Sequence, residues 1–325
     1  MCLGLFGRKA CVGWIEFLCP HTQNDDVMVE FGWVEILYNP HFLVWRFHTH
    51  EDKYMTKLPW NAVVCKVEES QYKIVDLNNA NIDEYGTFCL QSKKNTKGYK
   101  EKLEWTKERL KEGLHLKLLL VNEGAKRGFR ARGFIEYIPS EYAWRGIKAD
   151  GYMVIHCIWV IGKNKGHGYG TKLLQECLDD ARGMNGVVVT TSDKTWLPKK
   201  DLFVKNGFEK VDSKSPSFEL YAKRLSDGAP LPKFNPVPRN RLQKYAEGIT
   251  IFKSNQCPYA DGYANLVTEI AKQAGIPCRI EHIECFKEAQ NGVDPYGTFY
   301  VMLNGKVLGY RHVKKVLLDS ISKKQ

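Results

Sequence analysis

From residue 71 onward, short apolar runs alternate with amphipathic stretches. Residues 72–77, 116–121, 133–138 and 153–161 are runs of six to nine positions rich in β-branched, aromatic or leucine side chains, and each predicts a strand. The last is almost unbroken in apolar residues, so it is expected at the centre of a sheet covered on both faces. Between the first two runs, Tyr99, Leu103, Thr106, Leu110 and Leu114 recur at i, i+4, i+7, i+11 and i+15, one face of a helix. Leu173, Leu174, Cys177, Leu178 and Ala181 line a second helix, and residues 187–191 a further strand. Alternation at 12–17 and 42–47 predicts short strands nearer the N-terminus.

Three segments and a connector follow from this pattern. Residues 1–70 form a strand-rich extension, 71–227 an α/β body, and 249–325 a smaller α/β unit. Between them lies a connector, 228–248, whose Pro230, Pro232, Pro236 and Pro238 exclude helix over 229–238 and predict an extended linker. The last unit reads as a strand at 249–252 and a helix with Tyr263, Leu266, Val267, Ile270, Ala271 and Ala274 on one face. Strands at 279–283, 297–303 and 306–310 follow, the last two joined by Asn304-Gly305, and then a final helix.

Composition narrows the class. At 325 residues, 43% hydrophobic and 26% charged, the chain has the make-up of a globular protein of two or three domains. No run approaches the roughly 18 apolar residues of a membrane helix. The apolar start precedes Arg8-Lys9, the reverse of a secretory signal, so a cytoplasmic location is expected. The ten cysteines contain no Cys-x-x-Cys pair, and free thiols are expected. Among the histidines and cysteines of 1–70 only His48-x-His50 is closely spaced, so no metal is expected. The net charge is +11, yet residues 1–70 carry 6 Lys/Arg against 9 Asp/Glu, so the body is the basic part. That suits an anionic ligand. The interleaving in Lys100-Glu101-Lys102-Leu103-Glu104 is that of a solvated helix face and argues against nucleic acid.

The candidate anion site is the glycine-rich run after the central strand. Residues 160–171 leave a buried strand, pass Gly162, Gly166, Gly168 and Gly170, and enter a helix. Glycines there let backbone N–H groups face an anion, and the helix N-terminus adds partial positive charge, with Lys165 and Lys172 nearby. No Gly-Lys-Ser/Thr closes the run, so it is not the loop of nucleotide hydrolases. Lys165-Gly166-His167-Gly168-Tyr169-Gly170 resembles the Gln/Arg-x-x-Gly-x-Gly/Ala loop of the GNAT N-acetyltransferases, with Lys165 in the first position. The segment Leu202-Phe203-Val204-Lys205-Asn206-Gly207-Phe208 resembles that family's Leu-Tyr-x-Lys-x-Gly-Phe. The resemblance covers about 72–225. It implies a GNAT fold with a mixed central sheet, acetyl-CoA as co-substrate and an amine acceptor. It also implies that the backbones of Ile158 and Val160 pair with the pantetheine arm, and that Lys165, Gly166, His167, Gly168, Tyr169, Gly170 and Thr171 hold the diphosphate.

The pattern departs from that family at two points. Phe203 stands where a tyrosine often protonates the leaving thiolate. Val154 occupies a position where some members carry a glutamate. His156, two residues on, is the first candidate base. Glu136 is the second, or else it is an acid paired with Arg145 or Arg132. Residues 141–145 and 156–159 resemble a bacterial and protist GNAT subgroup with a C-terminal YoaP-like domain. The order of elements in 249–325 resembles the thioredoxin and glutaredoxin folds, with Cys257-Pro258-Tyr259-Ala260 in place of Cys-Pro-Tyr-Cys and Pro295 near the position of that fold's cis-proline. Cys257 at a helix N-terminus is expected to have a lowered pKa and to be a third catalytic candidate, with Cys285 as a distant resolving partner. The leading expectation is direct acetyl transfer to an amine. The alternatives are a monothiol thiol-transfer protein, a non-catalytic acyl-CoA sensor, and a degenerate C-terminal unit kept for packing.

Overall fold

The computed structural model describes residues 71–237 and 239–308, together with the backbone of three strands nearer the N-terminus. The chain divides into two units, 1–70 and 71–325. In the first, Ala10–Cys11 (β1), Trp33–Asn39 (β2) and Phe42–His48 (β3) form an antiparallel sheet in the order β1-β2-β3. The strand expected at 12–17, His21, His41, His50, Cys2, Cys19 and the final helix lie outside the described residues. No helix among the described residues is long and apolar enough to cross a membrane.

The second unit is built on seven strands: Tyr72–Asp76 (β4), His115–Asn122 (β5), Phe129–Pro139 (β6), Tyr152–Val160 (β8), Gly186–Ser192 (β9), Glu209–Lys214 (β10) and Phe218–Arg224 (β11). A two-residue strand, Ile147–Lys148 (β7), stands apart from them. The order is β10-β11-β9-β8-β6-β5-β4. All neighbours are antiparallel except β8 and β9, whose connection is the helix Tyr169–Asp180 (α3). A helical crossover is what joins adjacent parallel strands. Helices Ile82–Tyr85 (α1), Lys97–Leu110 (α2) and Asp201–Lys205 (α4) complete the layers. Alternation distributes the strand side chains. Leu116, Leu118 and Leu120 pack with Ile82 and Phe134 on one face, while Leu119, Ile135 and Ile155 meet Leu173, Leu174 and Phe203 of α3 and α4 on the other.

The C-terminal residues close over part of the sheet. Lys233–Phe234 (β12) pairs with β7, Arg239–Gln243 forms α5, and four strands follow: Ile249–Lys253 (β13), Cys278–His282 (β14), Phe299–Leu303 (β15) and Lys306–Leu308 (β16). Helices Ala260–Gln273 (α6) and Phe286–Gln290 (α7) connect them. The sheet order is β14-β13-β15-β16, with β13 parallel to β14 and the other pairs antiparallel. Ile251, Val267, Phe299 and Val301 of this part share one core with Trp105, Trp144, Val154 and Val188. The proline-spaced segment is tied down rather than free. Phe234 is buried, its N–H donates to Asp212 Oδ2 (2.8 Å), and Asn235 Nδ2 donates to the carbonyl of Gln290 (2.9 Å). Ser215–Pro216 is the cis peptide among the described residues. Pro295 is trans, so it does not take the cis-proline role the sequence suggested.

Two close approaches weld the parts. A Cβ on Gly98 of α2 would lie 2.5 Å from the carbonyl oxygen of Pro258, and one on Gly297 (φ +74°) would lie 2.6 Å from that of Trp144. Gly98→Ala is expected to push α2 away from the start of α6 and to destabilise by about 1–3 kcal/mol, read as a lower urea midpoint. Asp294 supplies a pH dependence. Burial raises its pKa to about 7, against a weaker opposing effect of the Tyr296 N–H (2.8 Å) and Lys214. Its unfolded value is about 3.9. The folded state therefore holds the proton more tightly, and stability is lost as pH rises from about 4 through about 7. Asp294→Asn should flatten that slope in Tm against pH; an unchanged slope would sink the assignment.

Candidate functional site

The parallel pair β8–β9 is short. Its register runs from Tyr152↔Gly186 to Ile155↔Val189 and stops. Beyond it β8 stays on β6 as far as Val160↔Gly133, while β9 stays on β11 as far as Ser192↔Phe218. Residues 156–160 and 190–192 thus diverge and open a wedge in the sheet. A bulge between Glu136 and Tyr137, opposite Cys157 and Ile155, leaves His156 as the extra residue at the apex. Ile158 and Val160 lie partly buried along the open edge.

β8 runs directly into the glycine loop. A 3-10 turn at Gly162–Asn164 precedes Gly166 (φ +83°) and Gly168 (φ +75°), both left-handed. No atom lies within 4 Å of the Cβ position of either, so the loop faces open space. Gly168 is the N-cap of α3, and no side chain caps the helix. Its first N–H groups are therefore available to an anion. Lys165, His167 and Thr171 are exposed around them, with Tyr169 and Gly170 half-buried. Lys172, read from sequence as a phosphate partner, instead holds its Nζ 4.7 Å over the ring of Tyr72.

At the apex lies a cavity of about 550 Å³. The sheet contributes Glu136, His156, Cys157 and Trp159, and the C-terminal part contributes Gln256, Cys257, Tyr259 and Tyr296. Glu136, 1% exposed, is fully engaged. Its Oε2 takes a hydrogen bond from Lys102 Nζ, and Oε1 accepts from Gln256 Nε2 (2.8 Å) and lies 3.3 Å from His156 Nδ1. Burial acts to raise its pKa, but Lys102 and His156 outweigh that and hold it at about 2. His156 Nε2 accepts the backbone N–H of Trp144 (3.0 Å), which assigns the proton to Nδ1, facing the carboxylate. Burial pushes the imidazole down to about 4.

These contacts correct the reading from sequence. In this arrangement both ring nitrogens of His156 are committed, Nε2 to the Trp144 N–H and Nδ1 toward Glu136, and neither presents a lone pair to the cavity. Neither expected arginine pairs with Glu136. Arg132 grips Glu123 at 2.8–2.9 Å. Arg145 donates to the carbonyls of His156 (2.7 Å), Trp144 (2.8 Å) and Tyr296 (3.1 Å). The partner is Lys102, whose interleaved charge run has the pattern of a solvated helix face. The available signal was its spacing: Tyr99, Lys102, Trp105 and Thr106 are buried together on one face of α2.

The thiol expectation is corrected too. Cys257 does precede α6, and the backbone N–H groups of Tyr259 and Ala260 lower its pKa, but burial is larger and pushes the thiol up. Cys285 is a free thiol at the N-cap of α7 and does not line this cavity. The sulfurs that share the cavity with Cys257 are Cys89 and Cys157. Phe203 is fully buried against Phe208, ring centroids 5.4 Å apart, and cannot serve a leaving group. Asp76, His115 and Asp180 bring ligand atoms within 4.8 Å of one another. Lys117 Nζ already neutralises Asp180 and Glu176, each at 2.9 Å.

Residues 80–208 match the family described as Acetyltransferase (GNAT) family. Over 238 residues the chain is 32% identical to an uncharacterized N-acetyltransferase, YoaP, of Bacillus subtilis (strain 168), covering 71% of this chain and 91% of that protein. Among solved structures, a GNAT acetyltransferase from Staphylococcus aureus Mu50 is 17% identical, covering 48% of this chain and 99% of that one (TM-score 0.33). YhbS from Escherichia coli, solved in complex with CoA, is 16% identical, covering 51% and 90% respectively (TM-score 0.33). With a relative of that identity matched over nearly its whole length, the chain belongs to the GNAT family of N-acetyltransferases and is an acyltransferase.

Proposed function

We propose that the chain transfers the acetyl group of acetyl-CoA to an amine held in the apex cavity, by direct attack. The observation that carries this reading is the continuity of β8. One strand borders the cavity at 156–159, presents an unpaired edge in the wedge, and three residues later enters an uncapped, open glycine loop. The diphosphate would lie on the N–H groups of Gly166 to Thr171 and the pantetheine arm along Ile158 and Val160. The thioester carbonyl would then sit at the apex. Backbone N–H groups of β8 would stabilise the oxyanion. Collapse of the tetrahedral intermediate forms the amide and expels the CoA thiolate, which takes its proton from water.

The amine enters deprotonated or loses its proton to water, since His156 and Glu136 are both committed to other partners. The rising limb of kcat/KM against pH should therefore follow the acceptor's own amine pKa across a series of acceptors and survive in His156→Gln. A limb that stays near neutrality for every acceptor and vanishes in His156→Gln would restore the histidine as base. Acetyl-CoA consumption against amines, peptides and polyamines identifies the acceptor.

In this reading the C-terminal part is a thioredoxin-like unit serving as the acceptor wall. Its strand order and directions, and Cys257 between β13 and α6, support the fold assignment. Its shared core and the Gln256–Glu136 bond support the role. The six free thiols of the described residues suit a reducing compartment, the cytoplasm.

A further inference from the structure

We propose that Cys89, Cys157 and Cys257 together bind a trivalent thiophilic metalloid hydroxide, arsenite or a monosubstituted arsonous acid, in the apex cavity. The three thiols come from separate places: the loop before the 3-10 turn Gln91–Lys93, the open end of β8, and the β13–α6 junction. All three line the one cavity, are half-buried against it, and are free. They are close enough for charge on one to disfavour charge on another, as between Cys89 and both Cys157 and Cys257, and between Cys157 and Cys257. Burial as a small apolar side chain accounts for a single cysteine. It does not account for three facing the same space.

The surroundings select the class of ligand. A zinc ion needs thiolates and brings two positive charges. Here burial pushes every one of the three thiols up, Cys157 to about 12, and Lys102 and Arg145 border the same cavity. A neutral arsenic hydroxide avoids both costs. In each exchange an As–O bond breaks and an As–S bond forms from the sulfur lone pair. The thiol proton leaves with the hydroxide as water. Arsenite and three thiols thus give one arsenic trithiolate and three waters, with no change of oxidation state and no external base. Phe134, Trp159 and Trp196 offer apolar wall for an organic substituent. The three sulfurs do not all lie within 4.8 Å of one another, so the proposed binding requires them to draw together across the cavity.

Binding rests on the cavity alone; only its consequence, that a loaded cavity excludes the amine, rests on the acetyltransferase reading. The test uses the reduced full chain, with arsenite, phenylarsine oxide and zinc as probes. Native mass spectrometry reads stoichiometry, and iodoacetamide labelling maps the protected cysteines. The expected result is one arsenic per chain, with Cys89, Cys157 and Cys257 protected and Cys278 and Cys285 still labelled. Phenylarsine oxide should protect two of the three. Cys89→Ser, Cys157→Ser and Cys257→Ser should each weaken arsenite binding roughly a hundredfold through loss of one tethered bond, with unchanged CoA affinity by calorimetry as the check on folding. Protection of other cysteines instead, indifference to the three substitutions, or zinc binding as tight as arsenite would each overturn the proposal. Arsenite bound at these thiols with undiminished acetyl transfer would uphold the site and remove the acceptor from this cavity.

Discussion

Gly168→Asp is expected to abolish measurable CoA binding while leaving the fold intact. Aspartate is among the few side chains that tolerate a left-handed backbone, so at the φ of +75° that opens α3 it carries less strain than most replacements. The space around the Cβ position is open, so nothing in the protein is displaced. What changes is the ligand's environment: a carboxylate enters the place where a diphosphate must approach the first N–H groups of the helix. Repulsion and lost N–H contacts together should weaken CoA by two orders of magnitude or more, about 3 kcal/mol. Gly168→Asn, which adds similar bulk without charge, should fall between. Calorimetry with CoA and a thermal melt on each variant separate binding from folding. Wild-type CoA affinity in Gly168→Asp would remove the loop from the reading.

Lys102→Met should cost the most stability. It leaves the Glu136 carboxylate 1% exposed with only Gln256 and His156 as partners. Removing one member of a buried pair costs about 3–5 kcal/mol, chiefly for stranding the other charge. The sign with pH distinguishes this from a packing defect. In the wild-type protein Glu136 has a folded pKa of about 2, below an unfolded value of about 4.3. Its contribution is present in full above about 4.3 and is lost as pH falls toward about 2. Without Lys102, burial dominates and raises the folded pKa, so the contribution reverses and the variant weakens as pH rises. Adding Glu136→Gln should recover most of the loss at pH 7. Urea unfolding of the two variants from acid to neutral pH tests this. A loss that is the same at all pH values, and not relieved in the double variant, would mean the pair is not what holds this region.

Much of the fold is legible in the amino-acid sequence. The strands expected at 72–77, 116–121, 153–161, 187–191 and 249–252 fall on β4, β5, β8, β9 and β13, because period-two or unbroken apolar runs reflect burial of a pleated strand directly. The edge pair β10–β11 was not read from the pattern. Glu209–Lys214 is a polar, half-exposed strand, and only pairing with Phe218–Arg224 makes it one. The helix expected as far as Leu114 stops at Leu110, and Leu114 is buried beyond it in the turn toward β5.

The loop and the site behave differently for the same reason. The glycine loop, the helix after it and most of the strands are set locally, since backbone freedom at Gly166 and Gly168 and the periodicity of α3 are local properties. The sequence by itself could not determine the chemistry at the apex. Glu136 meets Lys102 across 34 residues and Gln256 across 120. No local pattern encodes which of several charged residues will be buried together. Cys257 shows the limit most sharply. Its helix-start position alone argues for a lowered pKa, and two backbone N–H groups do act that way, yet burial outweighs them and pushes the thiol up. Desolvation decides it, and desolvation depends on α2, β6 and β8 closing around the thiol, which only the tertiary structure brings about.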